Sequence, residues 1–382
     1  MNTRTGRYVK QAGGYSAFIP NPLPPNPPIK FDEELLSLLS DADRSLARLD
    51  GIITVLPNPD MFIGMYVKKE ALLSSQIEGT QASLEGILEF EADLTPKDNI
   101  EDIKEVVNYI KALNYGIDRL NDLPMSLRLI KEIHKILIEG TRGGNKTSGE
   151  FRKTQNWIGS MGASLNEATF VPPPPDIVLP NMGALENFFY KYESIPPLTK
   201  IALIHAQFET IHPFLDGNGR VGRLLITFYL YWKKILSKPV LYLSYYLKKH
   251  KNEYYDLLMK VRTDGLWEDW IKFFLETVKE SSIESANTAR DIINLKESIT
   301  SKLYGSSISS IYAAKLIDLL FEKPLIEVND LVKTYKISRE SANELVNRFE
   351  QIGILKEITG KQRYKKYLFK DYVDIIKRGT EL

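Results

Sequence analysis

Cysteine is absent from the 382 residues, which excludes disulfides and thiolate chemistry and is compatible with a reducing compartment. An excess of either charge is also lacking: the net charge is only +1, so the overall balance names neither nucleic acid nor membrane surface as a partner. Long apolar runs are missing too. The opening MNTRTGRYVKQAGGYSAF holds no stretch long enough for a signal peptide, and no span approaches the roughly 20 apolar residues of a membrane helix. These absences point to a cytoplasmic protein with no membrane partner. Nor is the composition that of a disordered chain, since 43% hydrophobic and 26% charged residues are ordinary for globular proteins. A chain of this length is expected to fold as two or three domains.

What is present is concentrated in one stretch, HPFLDGNGRVGR, from His212 to Arg223. Gly217 and Gly219 let the backbone adopt conformations barred to residues with a Cβ, so successive N–H groups can converge on anionic oxygens. From Arg220 the pattern VGRLLITFYLYW is apolar at helical spacing, so the loop opens a helix whose first amides and dipole favour phosphate. Asp216 offers a hard oxygen ligand for Mg²⁺. His212, with an ordinary pKa of about 6.5, can take a proton from an attacking hydroxyl. Arg220 and Arg223 lie three apart on the first turn, so they share a side and can clamp two phosphates. The plainer alternative is a glycine turn capped by Asp216 with surface arginines. The combination of matching polar and glycine positions weighs against it.

The stretch resembles the Fic family signature, HxFx(D/E)GNGRxxR, at every defined position. The resemblance implies transfer of AMP from ATP to a Ser, Thr or Tyr hydroxyl of a target protein, including the enzyme itself, with pyrophosphate leaving. It implies His212 as the base and Asp216 as the Mg²⁺ ligand. The amides from Gly217 to Gly219 with the Asn218 side chain become the anion hole, Arg220 and Arg223 the contacts to the outer phosphates, and Phe214 the core anchor. A kinase-like branch of the family carries Lys where this chain has Gly219, so the glycine favours AMP transfer. Upstream, SSQIEG places Ser74, Glu78 and Gly79 in the family's inhibitory pattern, (S/T)xxxE(G/N). By resemblance Glu78 pairs with Arg223, which withdraws the arginine from the γ-phosphate and adds a repelling charge. Without the family, the six letters read as a helix-end Glu before a Gly stop.

Around this centre the chain divides into three expected parts: 1–100, a helical module with a proline-rich arm and the inhibitory helix; 101–300, the catalytic core; 301–382, a winged-helix domain. The expected fold is therefore mainly α. PNPLPPNPPIKF cannot be helical and is expected to lie extended over a surface. Asp32 to Leu49, IEDIKEVVNYIKAL and MSLRLIKEIHKILIEG read as helices. Gln155 to Gly159 and Thr169 to Val171 read as a small hairpin, which the resemblance makes a target-binding flap of Gln155, Asn156, Trp157 and Ile158. His205 reads as a packed helix residue, His134 as exposed or half-buried, and His250 as solvated surface. Gln207 is placed at the nucleotide edge, and Tyr245 and Tyr246 are candidates to stack on adenine.

The last stretch reads as three helices followed by two short strands around Gly360, the winged-helix arrangement. Arg339, Asn343 and Arg348, with Lys361, Arg363, Lys365 and Lys366, would turn a basic face to DNA. Glu340, Glu344 and Glu350 on the same helix oppose that, and protein contact or homodimerisation is the other use of such a module. Two further readings stay open: a DNA-binding regulator with a nucleotide-sensing core, and transfer of another group such as UMP or phosphocholine.

Overall fold

A computed structural model describes residues 4–54, 59–141, 147–159, 162, 164–304 and 310–381, and most of them are helical. The chain opens with β1 (Gly6–Lys10) and β2 (Ser16–Pro20), an antiparallel hairpin pairing Gly6 with Pro20 and Lys10 with Ser16. Sequence patterning did not foresee it, because β1 faces mostly outward and shows no alternation of apolar residues. The proline-rich arm that follows is non-helical, as expected, and its Asn21 carbonyl accepts a hydrogen bond from Gln207.

The helical body comprises α1 (Glu33–Thr54), α2 (Asp60–Ile77), α3 (Leu84–Glu91), α4 (Ile100–Arg119), α5 (Leu127–Ile138), α6 (Pro175–Tyr190), α7 (Pro197–Ile211) and α8 (Asn218–Trp232). It continues with α9 (Ser244–Lys249), α10 (Lys251–Thr263) and the long α11 (Trp267–Tyr304), against which α1 packs. Helix starts follow local chemistry: Asp32 accepts from Leu35 N, Asn99 from Glu101 N, and Ser126 from Leu129 N, each satisfying an amide with no intrahelical partner.

Helices α7 and α8 form the centre. Leu198 to Ile211 are buried on every side, and so are most residues of α8 up to Leu230. A helix apolar all round belongs inside a core, and polar side chains on it must find partners or face a cavity.

The final section contains α12 (Ile311–Glu322), β3 (Leu325–Glu327), α13 (Val328–Tyr335), α14 (Arg339–Gln351), β4 (Lys356–Glu357), β5 (Lys366–Leu368) and α15 (Lys370–Lys377). The strands pair antiparallel in the order β3-β5-β4, so the structure adds β3 to the two strands expected around Gly360. This unit is not an appendage on a linker. Both α12 and α15 pack against α2, with Phe62 of α2 set 5.6 Å from Phe321 of α12. No helix among the described residues is long and apolar enough to cross a membrane.

Candidate active site

Helix α7 stops at Ile211 because His212 adopts a left-handed conformation (φ 48°) and Pro213 cannot continue the helical bonding. The loop from His212 to Gly217 is then fastened at several points. Arg152, buried and unforeseen, donates to His212 O (2.9 Å), Ile211 O (3.3 Å) and Pro173 O (2.6 Å). Asn156 Nδ2 donates to Phe214 O (2.8 Å) and His212 O (3.2 Å). The Asn218 side chain accepts from Phe214 N (2.9 Å) and donates to Phe214 O (2.8 Å). That amide was expected in an anion hole; it closes the loop instead, and both its polar atoms are occupied.

Beneath the loop, Phe214 is fully buried and stacks on His134 with ring centroids 3.7 Å apart. His134 Nδ1 accepts from Gly149 N (3.0 Å), so Nε2 carries the proton and donates to Asp216 O (3.1 Å). Burial lowers its pKa to about 4 and keeps the ring neutral. The expectation of an exposed or half-buried His134 is thus corrected: it is the floor of the loop.

A cavity of about 700 Å³ lies between the end of α2, residues 157–159 and 169–170, the end of α7, the start of α8, and α10. His212 faces it. Its Nδ1 lies 3.9 Å from Glu209 Oε2, and burial, with Arg262 and Arg152 nearby, lowers its pKa to about 3, so the ring is uncharged and able to accept a proton. Glu209, one turn earlier on α7, is itself buried, with Oε1 lacking a hydrogen-bond partner, and burial raises its carboxyl to about 7. Arg262 closes this side, donating to Glu209 O (3.0 Å) and lying 4.2 Å from the Phe170 ring.

Arg223 lines the same cavity and is gripped from α2. Its Nε donates to Ser74 Oγ (2.7 Å), and its Nη2 to Ser74 O (2.9 Å) and Glu78 Oε1 (2.6 Å). Burial pushes the Glu78 carboxyl up, but the Arg223 guanidinium outweighs it and the net shift is downward. The position of Glu78 follows from how α2 ends. Gly79 takes φ 98°, Gly79 N donates to Gln76 O and Thr80 N to Ser75 O, a Schellman closure that stops the helix just after the carboxylate. Gly219 leaves room for it: a Cβ there would stand 2.2 Å from Glu78 Oε1.

Several expected residues lie elsewhere. Arg220 is buried 3.6 Å from both Glu105 and Asp216 and does not line the cavity. Gln207 faces the proline-rich arm. Tyr246 stacks on His250 at 4.1 Å, which makes His250 half-buried rather than solvated surface, and Tyr245 lies against Gly379. The tyrosines that do line the cavity are Tyr254 and Tyr255 of α10. The proposed hairpin is reduced to one bridge, Ile158 with Phe170, and the turn between its arms lies partly outside the described residues. Gln155 bonds Pro172 O (3.0 Å), so of the four flap residues Trp157 and Ile158 reach the cavity. In the C-terminal unit, Arg348 is paired with Glu344 and Lys366 with Glu327, which takes both out of the basic face. His205 is packed as expected, donating from Nδ1 to Gly222 O and accepting from Tyr254.

Asp216 is the one carboxylate at the loop, and its Oδ1 already accepts from Gly217 N (2.6 Å). Among the described residues no group of three or more His, Asp or Glu side chains is gathered to hold a metal. One carboxylate alone does not make an all-protein cage for a divalent cation.

Fold and site together define a helical protein whose central glycine loop faces an arginine held by a helix from its own N-terminal region. The chain carries domains of the Fic/DOC family: residues 36–118 match its N-terminal profile, 124–230 its main profile, and 297–370 the profile of the C-terminal domain of SoFic-like protein adenylyltransferases. It is 28% identical over 231 residues to the protein adenylyltransferase Fic of Drosophila grimshawi, covering 56% of this chain and 43% of that one. The chain thus spans less than half the length of that relative. A Fic family protein from Desulfovibrio desulfuricans shares the fold with a TM-score of 0.57 at 19% identity, over 90% of this chain and 97% of the other. Fic-1 from C. elegans does so with a TM-score of 0.52 at 20% identity, over 68% and 74%.

Proposed function

We propose that this chain is an autoinhibited protein adenylyltransferase, transferring AMP from ATP to a Ser, Thr or Tyr hydroxyl of a target protein or of itself. The observation that carries the reading is the three-bond hold of Ser74 and Glu78 on Arg223, inside the cavity that His212 faces. In this reading the triphosphate occupies the start of α8, where Arg223 binds its outer phosphates once released. The target oxygen attacks the α-phosphorus in line, its proton passes to neutral His212, and the bond to the bridging oxygen breaks so that pyrophosphate leaves. Asp216 would hold Mg²⁺, which when bound offsets phosphate charge. The chain's contribution is mainly positioning and charge stabilisation.

The test is labelling with α-labelled ATP. Glu78→Gly is expected to raise incorporation and His212→Ala in that background to abolish it; equal labelling in both would refute the mechanism. γ-labelled ATP and labelled UTP in parallel distinguish phosphate or UMP transfer.

A second reading concerns the C-terminal unit, which we take as a winged helix. Arg339 and Asn343 are exposed on α14, and Lys361, Arg363 and Lys365 are exposed between β4 and β5 beside Tyr364, which is 76% exposed. These side chains favour contact between the wing and a duplex DNA backbone. Such binding would weaken steeply with salt, and replacing the three wing cations by Gln would flatten that dependence.

A further inference from the structure

Helix α2 carries both groups that hold Arg223, and one of the three bonds goes to its main chain at Ser74 O. Rotating the Glu78 side chain therefore releases only part of the arginine; full release needs α2 to shift. That end of α2 is held by Lys251 Nζ, which donates to Ile77 O (2.6 Å), and by Gln76, two residues before Glu78 and buried. Its Nε2 donates to Thr380 O (2.9 Å) and Ala82 O (3.1 Å), and its Oε1 accepts from Lys248 Nζ (2.7 Å), which also donates to Glu381 O. One amide thus joins the inhibitory helix, α9 and the segment after α15.

That segment is seated, not merely adjacent. Gly379 takes φ 78° and lies so close to Tyr245 that a Cβ would stand 2.5 Å from the ring. Lys377 pairs with Glu85 of α3 (3.0 Å), and Arg378 pairs with Asp291 of α11. Upstream, the α12 and α15 contacts with α2 extend the same grip along the helix.

We propose that residues 377–381 are a latch on α2, through which the C-terminal unit controls the hold on Arg223. The inference rests on the reading of Glu78 as inhibitory. A partner that draws α15 away from α2 would loosen the Gln76 junction and shift α2 toward release, which is coupling between two sites through one element that both bias.

The experiment uses the full chain with Gly379→Val, which cannot adopt the observed backbone beside Tyr245, and separately with Lys248→Met, which removes the bridge to Gln76. Self-labelling with α-labelled ATP and Mg²⁺ is expected to rise about fivefold or more in each, the lower end of ordinary coupling. Combined with Glu78→Gly, each should raise labelling further, because the two Ser74 bonds to Arg223 remain until α2 shifts. If both variants label like the parent chain while Glu78→Gly labels strongly, the latch is wrong and the site reading stands. The absence of any further gain on top of Glu78→Gly also overturns the latch. If Glu78→Gly itself is silent, the site reading falls and the latch with it. Should Gly379→Val lower the melting temperature sharply, Lys248→Met decides alone.

Discussion

Glu78 and Arg223 meet at 2.6 Å across a sequence separation of 145 residues, and Ser74 takes two further bonds from the same guanidinium. The arginine side chain is almost wholly buried whereas that of Glu78 is 35% exposed, so solvent screens the two Ser74 bonds less than the bond to Glu78. Ser74→Ala removes the acceptor of Nε and leaves the other two. It should destabilise the chain by about 1.5–3 kcal/mol in denaturant unfolding, the range for a hydrogen bond to a charged group. Labelling should rise, but less than in Glu78→Gly; a rise exceeding that variant's would show that Ser74 is the main restraint.

His134 joins Asp216 O to Gly149 N while stacking on Phe214. His134→Leu strands both groups in a buried site, and each unsatisfied group costs about 1–3 kcal/mol. A marked drop in melting temperature is expected. In the Glu78→Gly background kcat should fall, since the loop that orients His212 loses its floor.

Glu209 supplies a pH test. Its folded pKa, about 7, lies above the ordinary value of 4.5. A raised acid gives stability that is full below the unfolded value and lost as pH rises through the folded one. Glu209→Gln, an uncharged isostere, should therefore increase stability at pH 8 by about 1–3 kcal/mol and by less at pH 5, which lies near the start of the window. Urea unfolding at the two pH values checks this, and a larger gain at pH 5 would contradict it.

His212 has the opposite shift, downward to about 3. Its neutral form is then already dominant at pH 6, half a unit below the ordinary midpoint of about 6.5. Labelling by Glu78→Gly should stay level from pH 8 to pH 6 instead of halving near 6.5. Deleting Glu78 removes a charge that raises the histidine, so the acid limb moves lower still.

The base pocket can be assigned by kinetics. Tyr255 lines the cavity, whereas Tyr246 is occupied with His250. Tyr255→Ala is expected to raise KM for ATP about tenfold, consistent with about 1–2 kcal/mol of stacking. Tyr246→Ala should leave KM unchanged and lower the melting temperature.

Much of this molecule is legible in its residues. Spacing along HPFLDGNGRVGR places a base, a carboxylate and a helix start within one loop, because glycine freedom, helix periodicity and proline interruption are local effects. Ser74, Glu78 and Gly79 likewise announce a helix end carrying a carboxylate. The helices of the core follow from apolar periodicity, and α14 from Ser338, whose side chain accepts from Ser341 N. What local effects cannot express is which distant side chain fills a buried polar need. Arg152 beneath His212, His134 beneath Phe214, Asn218 turned back on the loop, and Tyr254 with Tyr255 in place of Tyr245 with Tyr246 were each decided by packing. So was the seat of residues 377–381 on α2. A buried polar atom takes whichever partner the assembled helices bring within about 3 Å, and that choice exists only once the chain has closed on itself.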